Sequence, residues 1–156
     1  MKIAGQLAKH VKELYFGGNW TSVSLKSVLT SVNQEMACHK IPGFNSIYEL
    51  VFHLNYYVHE VGKVLDGEPL NAKDEKSFSA PEITSQKEWE DFLAQVWKDG
   101  IFLVTQIEKL PDTVLNEAFT DEKYGSYFRN LLGIIEHSHY HLGQIAMLKK
   151  LQKRAK

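Results

Sequence analysis

The chain has 156 residues, 44% of them hydrophobic and 24% charged, a size and balance that fit one globular domain spanning 1–156. At this length a fold hides roughly 70% of the surface its unfolded chain exposes, so the core requires neither a disulfide nor a structural metal. Lys and Arg number 18 against 19 Asp and Glu, with no long single-sign run, which argues against a nucleic-acid or anionic-membrane partner. Cys38 is the only cysteine, excluding an internal disulfide and any motif with two thiolate ligands, and it fits a reducing compartment. The first six residues lack the basic start and apolar run of a signal peptide, and no stretch of about 18 apolar residues occurs. A cytoplasmic protein that spans no membrane is expected.

In chain order, Ile3, Leu7, Val11 and Leu14 recur at helical spacing over 2–16, and Gly17-Gly18 stops that helix. After Asn19-Trp20-Thr21, the set Leu25, Val28, Leu29 and Val32 predicts short helical pieces before a turn over 41–45. Ser46 and Glu49 form a capping box for a helix from about 47 to 66. Its core stripe is Ile47, Leu50, Val51, Leu54, Val58, Val61 and Leu65, and Gly67 serves as its C-terminal cap. Residues 68–84 show no period and read as a long loop. Ser85 and Glu88 form a second capping box before Trp89, Phe92, Leu93 and Val96, and the apolar pattern ends at Pro111. Gly100 is an unfavourable residue inside that helix. A second long loop over 111–125 leads to Ser126, an N-cap for a last helix over about 127–152, whose basic end, Lys149 to Arg154, suits the helix dipole. Four long amphipathic helices predict an all-α four-helix bundle with long crossover loops.

Of seven histidines, three fall within five positions: His137, His139 and His141. On the last helix, measured from Ile134, the apolar stripe lies between about −40° and +80°. His137 at about −60° and His141 at about −20° point towards the core one turn apart, whereas His139 at about 140° falls on the polar side. Imidazoles at i and i+4 suit a divalent cation, but the spacing alone fits two hydrogen-bonded histidines better, and a catalytic site needs a third protein ligand. His53 is the natural candidate. It lies about 120° from the centre of its helix's apolar stripe, a boundary that fits a half-exposed histidine more readily than a ligand reaching over a cavity rim. His10, on the Ile3/Leu7/Leu14 face, is a rival, with a hydrogen-bonded core-edge histidine as its ordinary reading. His39 in a loop and His59 on a polar face take no role. Gln144 fits equally a hydrogen-bond partner of the site and a polar edge residue. Glu49, Glu60 and Glu136 read first as solvated helix-face residues, with a base or ligand-orienting role as the alternative. Cys38 reads as a small packed residue, and no Gly-rich phosphate loop is present.

The run from His137 to Ile145, with a histidine, three residues, a second histidine, Gly-Gln and an apolar pair, resembles the last-helix signature of the DinB-like (YfiT-like) metal-binding helix-bundle superfamily. The run from Ser46 to His53 is similar to that family's second-helix entry, and the order and separation match over essentially the whole chain. Gly17 to Thr21 and the loop from Pro69 to Pro81 resemble an uncharacterised branch. The resemblance implies a four-helix bundle, often a homodimer, in which His53, His137 and His141 bind one divalent metal, Zn or Ni foremost. His139 departs from the pattern by standing between the two motif histidines. Characterised members include thiol-dependent S-transferases and a mycothiol-dependent isomerase, which implies a small-molecule substrate with a low-molecular-weight thiol. Two functions compete. One is a metal-dependent transferase or hydrolase with loops 67–84 and 111–125 over its mouth and no assigned catalytic residue. The other is a non-catalytic dimeric bundle that binds a metal, a small ligand or a protein partner, with Trp20, Trp89, Trp97, Tyr56 and Tyr57 supplying a cavity or a dimer face where they do not simply pack the core.

Overall fold

The computed structural model describes residues 2–154, with side chains to Lys153; Met1 and the Arg154 side chain, both read above as parts of the chain ends, lie outside the described residues. The helices are α1 (Ile3–Phe16), α2 (Leu25–Leu29), α3 (Gln34–Cys38), α4 (Ile47–Leu65), α5 (Asp74–Ser77), α6 (Gln86–Lys109) and α7 (Tyr127–Arg154). Among the described residues there is no strand, only an isolated bridge between Ala118 and Ser126. No described helix is long and apolar enough to cross a membrane.

The local signals operate as read. Ser46 with Glu49 and Ser85 with Glu88 each form a reciprocal capping box, and the Ser126 hydroxyl accepts the Arg129 amide at 3.2 Å. Gly67 adopts φ +99°, while the Gly67 and Glu68 amides donate back to the carbonyls of Val64 and Lys63. That pairing satisfies carbonyls at the end of α4 and is open to glycine because of its positive φ. The start of α1 is different. Lys2 provides no side-chain cap, and the Ile3 and Ala4 amides donate instead to the Asp112 carboxylate at 2.9 and 3.0 Å. These bonds hold the Asp112 carboxyl below the usual range. Asp112 opens a 3₁₀ turn, Asp112–Asn116, which with a second, Glu122–Tyr124, structures the 111–125 segment expected as loop.

The four long helices close a ring in which α1 packs on α6, α6 on α4, α4 on α7 and α7 on α1. Side-chain pairs give the directions. Tyr48 meets Trp89 and Phe92, Asn55 meets Asp99, and Gly62 faces Phe102 and Leu103, so α4 and α6 are parallel. Tyr15 and Phe16 meet Trp97 while residues 3 and 4 meet Asp112, so α1 and α6 are antiparallel. His53 meets His137 and His141, and Glu60 and Val61 share a cavity wall with Arg129 and Asn130, so α4 and α7 are antiparallel. The topology is up-down-down-up. Parallel neighbours force the 67–84 connection to return along the length of α4, about 28 Å. At roughly 3.3 Å per extended residue the segment covers this with slack, and the slack forms α5 against α4. This turn corrects the expectation of loop throughout 68–84, since four helical residues are too few to carry a period.

The core gathers Leu7, Val11, Leu14, Leu29, Leu54, Val58, Trp89, Leu103, Ile107, Leu131 and Ile145, all buried. Gly100 belongs to it: a Cβ there would come within 2.5 Å of the Tyr15 ring, so the residue that lowers helix propensity is required for α1 and α6 to approach. Trp20 is 100% exposed and Ile3 is exposed as well, so neither packs in the core.

Candidate metal centre

His53, His137 and His141 converge. Nε2 of His137 lies 3.0 Å from Nε2 of His53 and 3.0 Å from Nε2 of His141, and one ligand atom from each ring lies within 4.8 Å of the others. α7 presents His137 and His141 one turn apart, and antiparallel α4 brings His53 to the same height. His53 is 6% exposed, which corrects the half-exposed placement favoured from its helix alone. Its cover comes from α5 and the residue after it: Phe78 stacks on the His53 ring at 4.2 Å between centroids, and buried Ser77 bonds its Nδ1 at 3.0 Å.

The outer hydrogen bonds fix which nitrogens carry protons. The Ser77 hydroxyl has one hydrogen, which it donates to the Asp74 carbonyl at 2.6 Å, so Ser77 Oγ must accept from Nδ1–H of His53. Gln144 donates its amide to the Tyr140 hydroxyl at 3.1 Å and turns Oε1 to Nδ1 of His141 at 2.7 Å, so His141 also donates through Nδ1–H. A neutral imidazole protonated at Nδ1 carries a lone pair at Nε2. His53 and His141 therefore both aim lone pairs at Nε2 of His137, which as a donor can serve only one of them. The arrangement lacks protons to satisfy itself and is suited to a cation. Two of the three separations agree: nitrogens bound tetrahedrally at 2.0–2.1 Å stand about 3.3 Å apart, close to the 3.0 Å from His137 to each of the other two rings.

Electrostatics favour the neutral ligand form. Burial and the neighbouring imidazoles of His141 and His53 push His137 down to about 4. His53 is lowered by burial and then by His141, and His141 is lowered by burial, partly offset by its bond to Gln144. His137 thus stays unprotonated well into the acidic range, and burial favours the neutral form of His53 and His141 as well.

A cavity of about 640 Å³ reaches the cluster, with His53 and His137 in its wall. Leu70, Ala72, Asp74 and Phe78 come to it from the 67–84 connection, and Phe119 and Tyr124 from the 111–125 connection. Both long connections therefore line the cavity, and the first also supplies Ser77 to the cluster. The Tyr57 hydroxyl donates to the Asp74 carboxylate, and the ring stands edge-on to His53 and His137 at 5.3 and 5.2 Å.

The remaining sequence candidates separate from the site. His10 is exposed and lines a different depression with His139 and Trp20, so the expected core-edge position is corrected: the buried stripe of α1 runs through Ala4, Leu7, Ala8, Val11, Leu14 and Tyr15 and leaves position 10 outside it. His139 is half-buried, and its Nδ1 bonds the Ile135 carbonyl at 3.0 Å, outside the cluster as its angle indicated. His39 is exposed. His59, given no role above, contacts buried Asp99 at 3.2 Å, and Asp99 also accepts from Asn55 and Gln95. Glu49 caps its helix, Glu136 pairs with Arg129, and Glu60 lies on the cavity wall beside Lys63. Burial raises the Cys38 thiol, in keeping with a packed residue. Sequence reasoning missed Ser77, Phe78 and Asp74, whose only local signal was an aromatic residue inside a polar, aperiodic segment, whereas Tyr57, named above for a cavity or a dimer face, lines the cavity.

Compared with known proteins, the chain matches no family model, no curated protein and no solved structure. The three-histidine group can hold a metal ion on its geometry alone.

Proposed function

We propose that this protein is a divalent-metal-dependent enzyme of the DinB-like type, a thiol S-transferase or hydrolase acting on a small molecule, with His53, His137 and His141 as the metal ligands and Zn or Ni as the metal. The observation that carries the reading is the convergence of three Nε2 atoms, two of them fixed as lone pairs by Ser77 and Gln144. A bound divalent cation supplies Lewis acidity, bringing the pKa of a water or thiol close to neutrality. The protein's own groups do the rest. Ser77 and Gln144 hold the rings in register, and Phe78 covers the His53 face against water. The apolar wall from Val61, Leu70, Phe119 and Ile134 accepts the body of a substrate, while the Tyr57 hydroxyl donates to the Asp74 carboxylate beside the cluster. A low-molecular-weight thiol is the proposed co-substrate on the strength of the motif resemblance.

Metal analysis of protein purified under metal-replete conditions tests the ligand set. One transition-metal ion per chain is expected, with loss of stoichiometric binding in His53→Ala, His137→Ala and His141→Ala. A wild-type protein that binds none removes the reading. Metal binding without turnover in a screen of thiol, ester and amide substrates leaves the non-catalytic bundle as the function.

A further inference from the structure

α1 and α7 pack together beside a second depression, of about 560 Å³, whose wall contains none of the three clustered histidines. His10 and Glu13 enter it from α1 and His139 from α7, and Trp20 lines it as well. His139 is the residue by which the last helix departs from the motif it resembles, and the metal centre described above gives it no part. The donor chemistry is set locally. His139 Nδ1 lies 3.0 Å from the Ile135 carbonyl; a carbonyl only accepts, so Nδ1 carries the proton and the neutral ring keeps its lone pair at Nε2. His10 and Glu13 stand three positions apart, one turn, and share a face of α1. The Glu13 carboxylate lies beside Gly18, where a Cβ would come to 3.6 Å from Oε1. Its ion-pair partner is exposed Lys9 at 3.6 Å, a contact of the kind that contributes little. Asn19 Nδ2 donates to the Glu13 and Val23 carbonyls at 3.3 and 2.7 Å, which fixes the loop after α1 while Trp20 remains fully exposed on it.

The donors are arranged as in the first centre, two from one helix a turn apart and one from its neighbour. We propose that His10, Glu13 and His139 form a second divalent transition-metal site, which ties α1 to α7 and takes an ion suited to imidazole and carboxylate ligands, such as Ni²⁺ or Zn²⁺. This site goes beyond the function proposed above and does not depend on it. Among the described residues only the first cluster has three ligand atoms within 4.8 Å of one another. The second set therefore closes on its ion by turning side chains at the surface and by releasing Glu13 from Lys9. Ordering those side chains costs affinity, so the second site binds more weakly, loses its ion during purification and leaves the count of one ion per purified chain unchanged.

Titration of the metal-free full chain with Ni²⁺, followed by calorimetry and by tryptophan fluorescence, tests it. A tight and a weaker class of binding are expected, and filling the weaker one is expected to quench Trp20, which lines the same depression. His10→Ala and His139→Ala are each expected to remove the weaker class and spare the tight one. Glu13→Gln is expected to weaken that class by at least about tenfold, a loss seen even for residues that only orient a ligand. Trp20→Phe is expected to keep the heat of binding and lose the quenching. His137→Ala is expected to remove the tight class and spare the weaker one, so failure of the three-histidine centre leaves the second site measurable. A wild type with no class that depends on both His10 and His139 overturns the proposal. So does such a class that ignores Glu13→Gln, keeps its quenching in Trp20→Phe, or disappears in His59→Ala, a histidine that contacts Asp99 outside the depression. Unchanged helical circular dichroism is expected in every variant and separates loss of a ligand from loss of the fold.

Discussion

His53 is oriented by an atom that no helical wheel could supply. The Ser77 hydroxyl, committed to the Asp74 carbonyl, accepts the Nδ1 proton of His53, and Gln144 does the same for His141. Losing such a partner commonly costs 10–100-fold in metal affinity. Ser77→Ala and Gln144→Ala are therefore expected to weaken metal binding by at least about tenfold in chelator competition, without losing it as the histidine variants do. The imidazoles also set a pH dependence. His137 is pushed down to about 4 in the folded protein, against about 6.5 in an unfolded chain. Between those values the unfolded chain binds the proton first, so the contribution of neutral His137 is fully present above about pH 6.5 and is lost as pH falls towards 4. Denaturant titration of metal-free protein is expected to show stability declining over that window, with a smaller slope in His137→Gln. Cobalt-loaded protein is expected to keep its visible spectrum at pH 6 and to lose it by about pH 4, because these rings compete poorly for protons.

The helices were legible from the chain wherever periodicity and caps coincide. Both capping boxes, the Gly67 terminus and the buried stripes of α4 and α7 follow from residues close in sequence. Elements with distant partners were not legible. The N-terminus of α1 is capped by Asp112 from the far end of α6, and Asp112→Ala is expected to lower the melting temperature, where Asp112→Asn retains part of the capping. Gly100 is the clearest inversion. Propensity alone predicts that Gly100→Ala stabilises α6 by up to about 1 kcal/mol. The 2.5 Å approach to Tyr15 predicts the reverse, a loss of about 1–3 kcal/mol from overpacking. Thermal melts of this one variant decide between local and tertiary control.

For the whole molecule, the ring of four helices buries an aliphatic and aromatic core that is continuous without the histidine cluster, so metal removal should not unfold it. Chelator-treated protein is expected to keep its helical circular dichroism and melt at a lower temperature, by the linkage between binding and stability. Cleavage within 67–84 is expected to rise as metal is withdrawn, since that segment is tied to the site through Ser77 and Phe78.

Composition, period and capping chemistry determined an all-α bundle of four long helices and paired His137 with His141, because these are local properties of a helix with 3.6 residues per turn. Only the tertiary structure decided the rest. Whether His53 or His10 completes the cluster depends on which helices are neighbours and in which direction they run. The parallel placement of α4 and α6 makes the 67–84 connection long enough to fold its own turn over His53. Sequence spacing carries no information about contacts made across a ring of helices, and the cover, the cavity and the orientation of the ligands all arise there.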